Sequence, residues 1–98
     1  MIGHNYYTYI TTNPKKTTLY IGVTNDLSRR LYEHLMSCED QSTFAGKYFC
    51  YNLVYYELHS DVNVAIAREK EIKKWSRIKK EKLIASMNPE WRFLNKDV

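Results

Sequence analysis

Two runs of β-branched and aromatic residues, Tyr6 to Thr12 and Thr17 to Val23, are separated only by Asn13-Pro14-Lys15-Lys16. The composition of each run is that of a strand, and the Asn-Pro dipeptide between them marks a turn. Strands this close must pair antiparallel as a hairpin. Pairing symmetric about the turn predicts Tyr9 opposite Tyr20. Opposed residues share a sheet face, so two phenols would stand side by side. A one-residue slip would send them to opposite faces.

The second run stops near Gly22, and a helix signal follows. Asn25 and Asp26 are good helix starters, and Leu27, Leu31 and Leu35 recur every fourth residue through about Met36. Arg30 and His34 are also four apart and should project together from one flank of that helix. Ser37 to Phe49, with Gly46, reads as a loop. Asn52 to Leu58 reads as a third strand. Ser60 or Asp61 should cap a helix running to about Trp75, and Ser76 another running to Met87, stopped by Asn88-Pro89. The expected order is β-β-α-β-α-α. This is an α+β domain over residues 1–98, a three-stranded antiparallel sheet flanked by about three helices.

A 98-residue chain buries one modest core. Its net charge of +4 points to a polyanionic partner. The basic residues concentrate between Arg68 and Lys82, which holds eight Lys/Arg against three Glu. That run predicts either nucleic-acid contact or a solvated helix face. Cys38 and Cys50 have no metal-ligand spacing and are expected to be free thiols in a reducing, cytoplasmic setting. The first ten residues, MIGHNYYTYI, carry no charged region followed by an apolar run, so no signal peptide is expected. No stretch approaches the roughly 18 apolar residues of a membrane span.

Three constellations could carry chemistry. Ala65, Glu69, Ile72 and Trp75 share one face of the second helix, so Glu69 interrupts an apolar stripe. A carboxylate there is costly unless it binds a metal or pairs with Arg68, Lys73 or a tyrosine hydroxyl. Arg30 offers a fork of donors suited to phosphate, and His34 can exchange a proton near neutrality; an ordinary solvated flank would look the same. Tyr9 or Tyr20 could serve as a base only if a neighbour favoured its phenolate, and either could simply be packing. Taken together, a carboxylate, an arginine and proton-transfer groups are what phosphodiester hydrolysis needs. No zinc cluster and no glycine-rich phosphate loop is present.

These residues resemble the GIY-YIG nuclease superfamily, and most of all its small stand-alone bacterial members related to the N-terminal domain of the excision-repair endonuclease subunit. The matching pieces are YTYI (Tyr7 to Ile10), LYIGVTNDLSRRLYEH (Leu19 to His34), LVYYE (Leu53 to Glu57), AIAREKEIKKWSR (Ala65 to Arg77) and LIASMNPEW (Leu83 to Trp91). The first motif's Gly-Ile stands here as Tyr7-Thr8. The resemblance implies a metal-dependent endonuclease acting on single- or double-stranded DNA in repair, recombination or defence. It implies Tyr9 as general base, Tyr20 orienting water or phosphate, and Gly22 letting backbone come close. Arg30 would contact the scissile phosphate, His34 assist proton transfer, and Glu69 bind a single Mg²⁺ or Mn²⁺. Asn88 would support the substrate, with Lys73 and Lys74 contacting its backbone. Sequence preference would come from loops or a protein partner. The competing expectation is a nucleic-acid-binding or partner-recruiting module with little catalysis of its own.

Overall fold

The computed structural model describes residues 5–36 and 49–98. The expected loop from Ser37 to Phe49, with Cys38 and Lys47, lies outside the described residues except for Phe49. The elements are β1 (Tyr6–Thr12), β2 (Leu19–Thr24), α1 (Leu27–Met36), β3 (Asn52–His59), α2 (Val62–Lys73) and α3 (Arg77–Met87), followed by a short 3-10 turn (Asn95–Asp97). The order is β-β-α-β-α-α. The sheet runs β2-β1-β3, with β1 central and antiparallel to both neighbours.

Each helix starts where a short polar side chain can satisfy a free N–H. Asp26 accepts from Arg29 N at 3.0 Å, Asp61 from Asn63 N at 2.8 Å, and Ser76 from Lys79 N at 3.2 Å. The middle helix ends at Lys73, short of Trp75, with Lys74 as its cap.

Strand alternation splits the core between the two sheet faces. On one face, Tyr9 and Leu53 pack with Leu27 and Leu31 of α1 and with Leu94. On the other, Ile10, Ile21, Val54 and Tyr55 pack with Ile72 of α2 and Ile84 of α3. A bulge makes both allocations possible on β3. Ile10 pairs with Tyr55 and Thr11 with Leu53, so Val54 is the extra residue. Two consecutive side chains, Val54 and Tyr55, thereby reach the same core. Thr8 ties β1 to α2 by donating to Ala65 O at 2.8 Å.

The hairpin register differs from the symmetric expectation. Tyr9 pairs with Gly22, and Tyr20 with Thr11. The cause is Asn13, whose side-chain oxygen accepts from Thr17 N at 2.8 Å and Thr18 N at 2.9 Å. Those two residues join the turn, so β2 begins at Leu19 and pairing shifts by two. An even shift preserves face parity. Tyr9 and Tyr20 therefore share a face as diagonal neighbours, with ring centroids 6.2 Å apart.

Beyond α3, Asn88 fastens the chain back onto the sheet. Its Nδ2 donates to Val54 O at 3.1 Å and Arg92 O at 2.8 Å, and its Oδ1 accepts from Arg92 N at 3.0 Å. Leu94 N then donates to Leu53 O, and Asn95 accepts from Leu53 N. Among the described residues, no helix is long and apolar enough to cross a membrane.

Candidate active site

The site grows from the pairing of Tyr9 with Gly22. A Cβ built on Gly22 would stand 2.5 Å from the Tyr9 hydroxyl oxygen, 2.7 Å from its ring carbon and 3.0 Å from the Tyr20 ring. Only glycine lets the Tyr9 ring lie across β2. Gly22 was expected to let backbone come close; the space beside it holds the Tyr9 phenol.

That phenol is fully buried, and both helix-flank residues reach it. Its hydroxyl lies 2.9 Å from His34 Nε2 and accepts from Arg30 Nε at 3.2 Å. With Arg30 donating to the oxygen, the phenol's own proton is directed at His34. The imidazole is then neutral, accepting at Nε2 and carrying its proton on Nδ1. Leu27 and Leu31 anchor α1, but Leu35 is 45% exposed, against the stripe expected of it. His34 takes the buried position one residue earlier, because a hydroxyl waits there to satisfy it. Tyr20, half-exposed, packs edge-on to His34 at 5.2 Å between ring centroids. Its hydroxyl interacts with both Tyr9 and Arg30.

Burial drives the electrostatics. It pushes the Tyr9 phenol well above its ordinary value, against the pull of Arg30. Burial, helped by the Arg30 charge, pulls His34 down to about 4. For Arg30, burial opposes the charge, but the bonds to Tyr9 and Glu33 outweigh it and hold the guanidinium above its usual range. At neutral pH Tyr9 is a neutral phenol, His34 a neutral imidazole and Arg30 a cation. Tyr9, expected as the general base, is fully buried, with its hydroxyl held between His34 and Arg30.

The remaining expected residues belong to other elements. Glu69 belongs to α2, which packs on the opposite face, and its Oε2 is paired with Lys73 Nζ at 3.1 Å. The carboxylate is neither swallowed by the core nor shared with Arg68. Lys74 is exposed at the end of the same helix. Asn88, expected to support the substrate, is buried, with its amide hydrogen-bonded to main chain.

With that geometry in view, comparison with known proteins is decisive. Residues 5–82 match the GIY-YIG catalytic domain. The chain belongs to the GIY-YIG family. It is similar to a UPF0213 protein of Bacillus pumilus (strain SAFR-032), 33% identical over 90 residues, covering 92% of this chain and 89% of the relative. It is also similar to the UPF0213 protein NP_0776A of Natronomonas pharaonis, 33% identical over 81 residues, covering 83% of this chain and 92% of the relative. Among solved structures it resembles the solution NMR structure of the UPF0213 protein BH0048 from Bacillus halodurans. That likeness has a TM-score of 0.55 and 26% identity, and covers 94% of this chain and 95% of the other.

The GIY-YIG family typically uses a divalent metal, and Glu69 fits one. Its side chain is 20% exposed, and Lys73 engages one of its two oxygens. Carboxylate oxygen is a hard donor suited to Mg²⁺, which keeps several waters and takes substrate phosphates for the rest of its shell. Among the described residues no group of three or more His, Cys, Asp or Glu gathers to hold an ion.

One polar cluster escaped the sequence reading. Arg68 grips Glu57 through Nε at 3.0 Å and 3.1 Å and through its NH2 group at 2.9 Å, and reaches Glu71 at 2.9 Å. The Tyr55 hydroxyl also donates to Glu57. His59 Nε2 lies 3.2 Å from the same carboxylate without forming a hydrogen bond, so that contact is electrostatic. Burial alone would raise the Glu57 pKa, but the bonds from Arg68 and Tyr55 outweigh it and hold the carboxyl below its usual value. The available signal was Tyr55, Glu57 and His59 at strand spacing, three polar side chains on one face of β3.

Proposed function

We propose that this GIY-YIG protein, one domain over residues 1–98, is a metal-dependent endonuclease that hydrolyses phosphodiester bonds in DNA. The observation that carries the reading is Arg30. It is a half-buried cation whose inner partner is the Tyr9 hydroxyl, and among the described residues only the exposed Glu33 balances it. A guanidinium so placed suits the charge that builds on a phosphate in the transition state.

The half-exposed Tyr20 is the phenol that meets water. A water proton passes to the Tyr20 oxygen as the Tyr20 proton passes to Tyr9 and the Tyr9 proton to His34 Nε2. The hydroxide formed attacks phosphorus, the bond to the leaving oxygen breaks, and solvent protonates that oxygen. His34, with its pKa near 4, then returns its proton to solvent. Glu69 would hold the divalent ion, which supplies Lewis-acid stabilisation of the phosphate charge when bound.

Cleavage of single-stranded, duplex and branched DNA with Mg²⁺ or Mn²⁺ tests this. Wild type should cut at least one substrate, and Arg30→Ala and Glu69→Gln should each lose about 10²–10³-fold in rate. Wild type cutting none, or variants cutting as well as wild type, overturns the reading. Full burial of Tyr9 favours a second reading, a nucleic-acid-binding module without catalysis. It predicts salt-sensitive DNA binding and no cleavage with either metal.

A further inference from the structure

Every described lysine but one is exposed; the exception is Lys80, in the first turn of α3. An ammonium withdrawn from water is costly without a partner, and Lys80 has no anionic partner among the described residues. The other two half-buried cations, Arg30 and Arg68, are each held by named side chains.

Lys80 lines a groove of about 300 Å³ with Leu19, Tyr20, Ile21 and Lys73. The groove runs along β2, an edge strand. No carboxylate lines it. Tyr20, from the phenol cluster, and Lys73, the ion-pair partner of Glu69, both line it. The groove thus runs from the phenol cluster to the ion-pair partner of Glu69, and it is lined by two cations.

We propose that this groove takes the sugar–phosphate backbone of the DNA beside the scissile bond, with Lys80 contacting a flanking phosphate. The apolar walls from Leu19 and Ile21 exclude water around that contact and strengthen it. The proposal rests on the nuclease reading for the identity of its ligand. Arg77, although basic and nearby in sequence, is excluded from this role. Its NH1 and NH2 groups donate to Thr17 O at 2.8 Å and Lys16 O at 3.1 Å, closing the hairpin turn.

The test is fluorescence anisotropy of labelled single-stranded and duplex DNA over a KCl series, in chelator so that nothing is cut. Lys80→Gln should weaken binding to both and make the plot of log Kd against log salt shallower by about 1. Lys80→Arg should restore the slope. Lys96→Gln, an exposed lysine in the 3-10 turn that removes the same charge, should keep it. The proposal is overturned if Lys80→Gln matches wild type, if Lys96→Gln loses as much, or if wild type binds neither DNA. Cleavage is scored separately. Lys80-dependent binding without any cleavage would sink the nuclease reading alone; cleavage with Lys80-independent binding would sink this proposal alone.

Discussion

Arg30 and Arg68 lie half-buried on opposite faces of one sheet, and their surroundings differ in charge. Arg68 is fully balanced. It grips Glu57 with two nitrogens, reaches Glu71, and stacks 5.0 Å over the Trp75 ring. Arg30 meets phenols inward and a single exposed carboxylate outward. Both are arginines on helices packed against the sheet, yet one acts as a structural pin and the other is a cation held ready for an external anion. What separates them is the neighbour on the facing strand: a carboxylate at Glu57, a phenol at Tyr9. A carboxylate opposite Arg30 would neutralise it before any phosphate arrived.

The contrast is sharpest in kinetics. Arg30→Ala should slow cleavage by about 10²–10³-fold, while Arg68→Ala, assayed where it remains folded, should keep the wild-type rate. In urea denaturation the order reverses. Arg68→Ala should cost about 2–3 kcal/mol, because it strands a poorly exposed Glu57 carboxylate. Arg30→Ala should cost about 1 kcal/mol or less, since it leaves a Tyr9 phenol still bonded to His34 and a Glu33 that is exposed to water. Equal losses of stability would erase the distinction.

Gly22→Ala should destabilise by up to about 3 kcal/mol, because the added methyl must displace the Tyr9 ring. It should also slow cleavage, and a variant that melts and cuts like wild type would mean that the phenol is not fixed by its neighbour.

His34 makes stability depend on pH. It titrates near 4 in the folded chain and near 6.5 when unfolded. Between those values the unfolded state binds the extra proton. The contribution, about 3 kcal/mol at ~1.4 kcal/mol per pKa unit, is complete above about pH 6.5 and is lost as pH falls to about 4. An NMR titration should find His34 charging near the lower value in wild type and higher in Arg30→Ala, where the neighbouring cation is gone.

Much of this architecture was legible in the sequence, because local rules govern it. Asp26, Asp61 and Ser76 mark helix starts by their own hydrogen bonds, and strand composition marks the hairpin. The register was not legible, since it depends on Asn13 drawing Thr17 and Thr18 into the turn. Nor was the exchange of Leu35 for His34 at the buried position, which needs knowledge of the Tyr9 hydroxyl. Periodicity placed Arg30 and His34 on one flank, and both do reach one atom. It could not show that α2, which carries Glu69, packs on the sheet face opposite Leu27 and Leu31 of α1, because which face a helix covers is a tertiary outcome. The pairing of Glu57 with Arg68, between a strand and the next helix, was hidden for the same reason.

The central claim is that Arg30, and not Arg68, is open to a phosphate. NMR of the arginine Nε–Hε signals reads this directly, with Glu69→Gln protein titrated with an uncleavable phosphorothioate oligonucleotide. The Arg30 signal should move on binding and the Arg68 signal should stay. Movement at Arg68 with Arg30 unchanged, or binding that moves neither, would contradict the account.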